Sequence, residues 1–195
     1  VLCGRENEVL HLMGINLIIV SRMPYDDHTY FKTNMKELLD KISSYNLFNY
    51  LFPGVLFAVI SNKTTAYSFL QENFIVGAFV YYFIGLVVSR FGSLLIEPIL
   101  KKIEFLKFAD YKDFVAASKR DTKIDLLSEI NNMYRTLCSM FTLLLLLKLY
   151  ELIESKLPVL KDWNTHILLA SLLIMFLLSY RKQTKYITKR IESSR

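Results

Sequence analysis

From Trp163 to Tyr180 the chain runs for eighteen residues without one Asp, Glu, Lys or Arg, bounded by Lys161-Asp162 on one side and Arg181-Lys182 on the other. As helix, that stretch covers about 27 Å, close to the ~30 Å hydrocarbon core of a bilayer. It has no polar face to show to water, which argues against the fold alternative of a soluble helical bundle. Trp163 and Tyr180 stand at its two ends, where an aromatic belt places its rings. The strongest reading of this segment is a transmembrane helix.

Three further apolar blocks share the pattern. Residues 134–153 centre on five consecutive leucines, Leu143 to Leu147, with Lys148 and Glu151 near the far end. Residues 74–96 carry a single charge, Arg90, near one end. Residues 42–61 are the weakest, because Pro53-Gly54 sits mid-block and a kink is expected there. A re-entrant or interfacial segment is the competing reading of that block. The expected fold is therefore all-α: a polytopic membrane protein of about four transmembrane helices in one domain, residues 35–195.

Hydrophobic residues make up 53% and charged residues 22% of the sequence, so the two kinds are segregated along the chain. The net charge of +6 suits either a nucleic-acid partner or cytoplasmic lysines and arginines. Their distribution decides between these. If the four blocks cross in turn, twenty Lys and Arg fall on one side and four on the other. That bias places both termini and the middle connection in the cytoplasm, and it supports counting the first block as a span. The basic residues are interleaved with acids and carry no nucleic-acid motif, so no nucleic-acid partner is expected.

The middle connection, residues 97–132, is the only sizeable stretch outside the blocks. Its spacing predicts that the second and third spans continue below the membrane as a cytoplasmic helical hairpin. Asp110 is expected to cap a short helix at the tip, and Asp121 the helix that runs into the third span. Arg90 and Glu97 lie seven apart on one helical face, and Glu129, Asn132 and Arg135 lie where the third span begins. These five form an expected interhelix polar cluster, with Arg90 or Arg135 paired to Glu97 or Glu129. It is read chiefly as a topology anchor and helix clamp, although ionisable groups near membrane depth are also functional candidates.

Gly85, Ser89 and Ser93 recur every four residues, with Gly92 adjacent, and give one helix a face that another can approach closely. On a self-association reading, Gly85→Leu breaks an oligomer. No catalytic set, cofactor motif or metal-ligand spacing is found. His11, His28 and His166 are scattered, and Cys138 is expected to pack inside its block as a small hydrophobe.

Residues 1–34 read differently. The apolar run 12–20 is too short to span, and acids precede it where a signal peptide has basic residues. Met35 opens a charged amphipathic lead into the first block, so Met35 is the expected start and residues 1–34 an over-extended gene start. A surface-lying arm is the alternative.

The segments Ser43 to Gly54, Ser89 to Pro98, Asn131 to Arg135 and Tyr180 to Arg190 resemble a group of small bacterial four-span membrane proteins, some of them encoded at phage-defence loci. The resemblance covers Met35 to the end. It implies the fold and the bacterial inner membrane, with no established activity. Three functions compete: a self-associating interaction or effector protein, a membrane anchor whose segment 97–132 recruits a soluble partner, and a transporter or membrane enzyme. The expected partners are the lipid bilayer, further copies of the chain and a soluble protein.

Overall fold

A computed structural model describes residues 46–194, and the reading of Met35 as the start lies outside them. Among the described residues there are six α-helices and no strand. They are α1 (Phe52–Thr64), α2 (Phe74–Phe91), α3 (Glu97–Lys102), α4 (Tyr111–Ser118), α5 (Lys123–Lys156) and α6 (Val159–Ser194). Two π-turns extend this set. Leu47–Leu51 leads directly into α1, and Gly92–Ile96 joins α2 to α3 without a break. Among the described residues, three helices are long and apolar enough to cross a membrane: Phe74–Lys102, Lys123–Lys156 and Val159–Ser193.

The fourth expected span is not among them. Helical residues 46–64 include Asn46, Asn49, Ser61, Asn62 and Lys63, which dilute the apolar character. The burial pattern supplies a physical reason. Pro53, Gly54, Phe57, Ala58 and Ser61 are buried against neighbouring helices. A helix enclosed by protein does not need an apolar surface all round.

Pro53 sits in the first turn of α1, directly after the first π-turn. Proline has no N–H, so the carbonyl four residues earlier loses its α-helical donor. A turn of i→i+5 bonding spaces the chain differently over those residues. Pro98 follows the second π-turn in the same way, each turn ending two residues before its proline. The irregularity expected at Pro53-Gly54 thus takes the form of a π-turn, and it recurs at Pro98, where none was expected.

Helix ends follow the local chemistry. The Asn73 side chain accepts from Ile75 N–H at 3.0 Å and Val76 N–H at 3.1 Å, and so starts α2. Asp110 stands at the N-cap of α4 without a side-chain capping bond. Asp121 accepts from Lys123 N–H at 2.9 Å, one residue outside the N-cap position of α5. Past the end of α3, Phe105 N–H reaches back to Leu100 O at 3.0 Å, with Glu104 at a left-handed φ of 56°. Leu157-Pro158 separates α5 from α6, since proline cannot continue the ladder.

α2 is the hub. Its Gly85 meets the backbone of Tyr50, and Gly54 of α1 meets the backbone of Tyr81. A Cβ on either glycine would lie 1.7 Å from a carbonyl oxygen. The apolar core beside this crossing is Phe57, Val88, Met140 and Leu144, from α1, α2 and α5. α6 stands apart: among its described side chains only Ser179 is buried. Cys138 also differs from expectation, because it lies exposed on the outer side of α5.

At the end of the bundle away from Glu97, a polar latch joins three segments that the sequence does not flag. Tyr67, in the α1–α2 loop, donates to the Glu154 carboxylate at the end of α5. Asn164 Nδ2 of α6 donates to the same carboxylate at 2.6 Å, and Tyr150 donates to Asn164 Oδ1. Partial burial and then the Glu154 carboxylate raise the Tyr67 phenol above its ordinary pKa of 10. The proton is held more tightly in the folded chain than in the unfolded one, so this contribution is present below pH 10 and lost as the pH climbs beyond it. Tyr67→Phe is expected to lower stability by about 1 kcal/mol at neutral pH. The difference from the wild type should shrink above pH 10, as followed by thermal unfolding in detergent.

Candidate functional site

The small-residue stripe and the polar cluster meet along one face of α2 and its continuation. Gly85, Ser89, Ser93 and Glu97 follow one another at intervals of four and are all buried. Each faces a different neighbour. Gly85 receives Tyr50, and Ser89 lies 3.4 Å from Thr136 Oγ1 of α5. Gly92 packs against Ser139 and Arg135, a Cβ there falling 2.2 Å from Ser139 Oγ. Ser93 accepts from Lys182 of α6, at 2.7 Å on its hydroxyl and also on its carbonyl. Within this chain, then, the stripe is filled by α1, α5 and α6.

Glu97 is the centre of the polar cluster. One carboxylate oxygen accepts from Lys101 at 2.9 Å and the other from Arg135 at 2.8 Å. The i,i+4 pair with Lys101 lies within one helix, whereas the Arg135 pair ties α3 to α5. Arg90 points instead toward Tyr50, whose hydroxyl lies 3.4 Å from its guanidinium. Asn132 contributes its carbonyl, which accepts from Thr136 Oγ1 at 2.9 Å. Glu129 is exposed and stands apart, nearly two turns before Arg135 on α5.

Lys182 completes the group, and sequence spacing alone gave no sign of it. It sits in the basic tail, 85 positions from Glu97, and only the antiparallel return of α6 brings it to Ser93. The available clue was its position immediately past the last apolar block, at the same expected interface as Arg90. Three cations, Lys101, Arg135 and Lys182, surround one buried carboxylate, and Arg90 adds its charge on the Lys182 side.

Comparison with protein-family models, curated proteins and solved structures finds no match. The geometry offers a carboxylate already held by two cations, hydroxyls bonded to main-chain oxygens, and an excess of positive charge. Among the described residues no group of three His, Cys, Asp or Glu could hold a metal ion. This is the chemistry of a clamp that ties helices together and draws anions. Nothing in it resembles a nucleophile with an adjacent base.

Proposed function

We propose that the chain is a membrane anchor of four crossings that presents its 97–132 side to a soluble protein in the cytoplasm. Support for the fourth crossing comes from where the first helix begins and ends. Tyr50 stands beside Arg90 at one end of α2. At the other end, Ser61 donates to Tyr67 O at 2.9 Å, and Tyr67 reaches Glu154. The helix thus runs the same course as α2 and α5 between the two polar layers. Its 19 residues, 46–64, reach about 28 Å.

One observation carries the anchoring role. α5 has 34 residues, about 51 Å of helix against a ~30 Å core, so roughly 20 Å stands clear of the bilayer. On that projecting part, Leu126, Leu127 and Ile130 are exposed, 56%, 62% and 37% respectively, with Asp125 and Glu129 next to them in the chain. Flanking acids keep this row out of the lipid. α4, with Val115 buried, lies against α5, and its Tyr111 ties it to α6 through a ring 6.5 Å from that of Tyr186. An apolar row held on a braced helix outside the membrane suits a protein partner.

Self-association is the second reading. Because the Gly85 stripe is filled internally, it has to use another face. Leu169, Leu173, Leu177 and Tyr180 form one exposed line on α6, beside the half-buried Phe176. A photo-crosslinking residue placed at Leu127 or at Leu173 in cells separates the two readings. We expect Leu127 to give one discrete adduct with a soluble protein and Leu173 to give none with protein. A dimer of the chain from Leu173, with nothing from Leu127, would overturn the anchor and favour self-association.

A further inference from the structure

We infer that the inner end of α6 holds a binding site for the phosphate headgroup of an anionic phospholipid, built by Lys182, Lys185, Tyr186 and Lys189. These four side chains line an open pocket of about 260 Å³. Their spacing of three, one and three puts them on one face of the helix. No carboxylate lines the pocket, and while Lys182 also faces Glu97, Lys185 and Lys189 bring their charge to it with no acid in the lining.

The site is shaped by the fold. Lys182 is fixed by its bonds to Ser93 in the π-turn that follows α2, and its ammonium lies 5.7 Å from the centre of the Tyr186 ring. Tyr186 in turn packs on Tyr111 of α4. One lysine and the ring that floors the pocket are therefore placed by other helices before any ligand arrives. Lys185 and Lys189 are exposed and free to close on an anion. The surplus positive charge around Glu97 adds to the local potential.

Depth and continuity point to a lipid as the source of the phosphate. The apolar block of α6 ends at Tyr180, and Lys182 to Lys189 cover the next ~10 Å of helix. The headgroup layer is about 5–8 Å thick on each side of the hydrocarbon core. The pocket therefore opens into that layer. Leu178, one turn before Lys182, and Ile174, a turn further back, are exposed along the same flank, where an acyl chain can lie while its headgroup sits among the lysines. Basic pockets between spanning helices on the cytoplasmic side recognise lipid headgroups in this manner.

The proposal rests on the membrane reading, and its test keeps the two apart. The full chain is reconstituted with vesicles of phosphatidylglycerol or phosphatidylcholine, and the affinity for short-chain forms of each lipid is then measured in detergent by native mass spectrometry. Failure to float with vesicles of either composition would overturn the membrane reading. The expected result is preferential binding of phosphatidylglycerol, weakened about tenfold in the Lys185→Gln/Lys189→Gln double variant. That variant leaves the Lys182–Ser93 contact in place, so its unfolding midpoint without lipid should match the wild type. Equal affinity for the two lipids, or an unchanged phosphatidylglycerol affinity in the double variant, would overturn the site. Full displacement of the lipid by millimolar inorganic phosphate would reassign it to a soluble phosphate.

Discussion

Gly85→Leu is expected to leave no folded protein in detergent. A Cβ at position 85 falls 1.7 Å from Tyr50 O, and the nearest atoms are all backbone, so no side chain can move aside. The two helices have to separate, which opens the Phe57–Val88–Met140 core beside them. Overpacking of an ordinary core site costs about 1–3 kcal/mol, and a backbone collision at a helix crossing exceeds that range. Size-exclusion chromatography should show aggregate and circular dichroism should show no cooperative transition. Gly54→Leu meets Tyr81 O at the same distance and should behave alike. Gly77→Ala is the control: its added Cβ lies 3.2 Å from the Tyr81 ring, which can shift. A well-folded Gly85→Leu protein that merely lost oligomers would return the glycine face to a role between chains.

The second large effect belongs to Glu97. Its carboxylate is buried, and the Arg135 partner is about one-fifth exposed. Removing one member of a buried ion pair strands the other, at a cost of about 3–5 kcal/mol. Glu97→Gln leaves Lys101, Arg135 and Lys182 facing one another without a counter-charge. We expect a loss near the lower end of that range, because Lys101 can turn to solvent. Arg135→Gln should cost less, since Lys101 still neutralises Glu97. The double variant Glu97→Gln/Arg135→Gln should be more stable than the sum of the single effects predicts, as a thermal unfolding cycle would reveal. Strict additivity would mean that the pair contributes no coupling between α3 and α5.

Much of the architecture can be read from the chain because apolar length is a coarse and robust signal. The three helices long and apolar enough to cross a membrane coincide with three of the blocks, each reaching further than its block. Those extra turns carry the charged residues that mark the block edges, so hydropathy stops where the helix does not. The first block is harder to read for the opposite reason: its polar Asn49 and Ser61 are tolerated by burial, which sequence composition cannot see. Periodicity places Gly85, Ser89 and Ser93 on one face without saying what fills it. Whether that filler is another helix of the same chain or a second copy is a tertiary fact. The latch of Tyr67, Glu154 and Asn164 is less visible still, because its members are spread over three segments and none stands out alone. Lys182 belongs with them: in sequence it is one lysine of a basic tail.

The wide turn at Gly92–Ile96 also explains how a repeat of four can persist along a helix. An α-helix turns once in 3.6 residues, so positions spaced by four drift by about 40° at each step. After Gly85, Ser89 and Ser93, a fourth member at Glu97 would have wandered about a third of a turn from the first. A π-turn winds more slowly, at about 4.4 residues per turn, so the last step of four takes back roughly 70° of that drift. The proline two residues later sustains the slow winding, because it withholds the donor that α-bonding requires. Pro98 therefore sets the phase of the helix. It keeps the carboxylate within about an eighth of a turn of the glycine, so that one seam serves α1, α5 and α6 in succession.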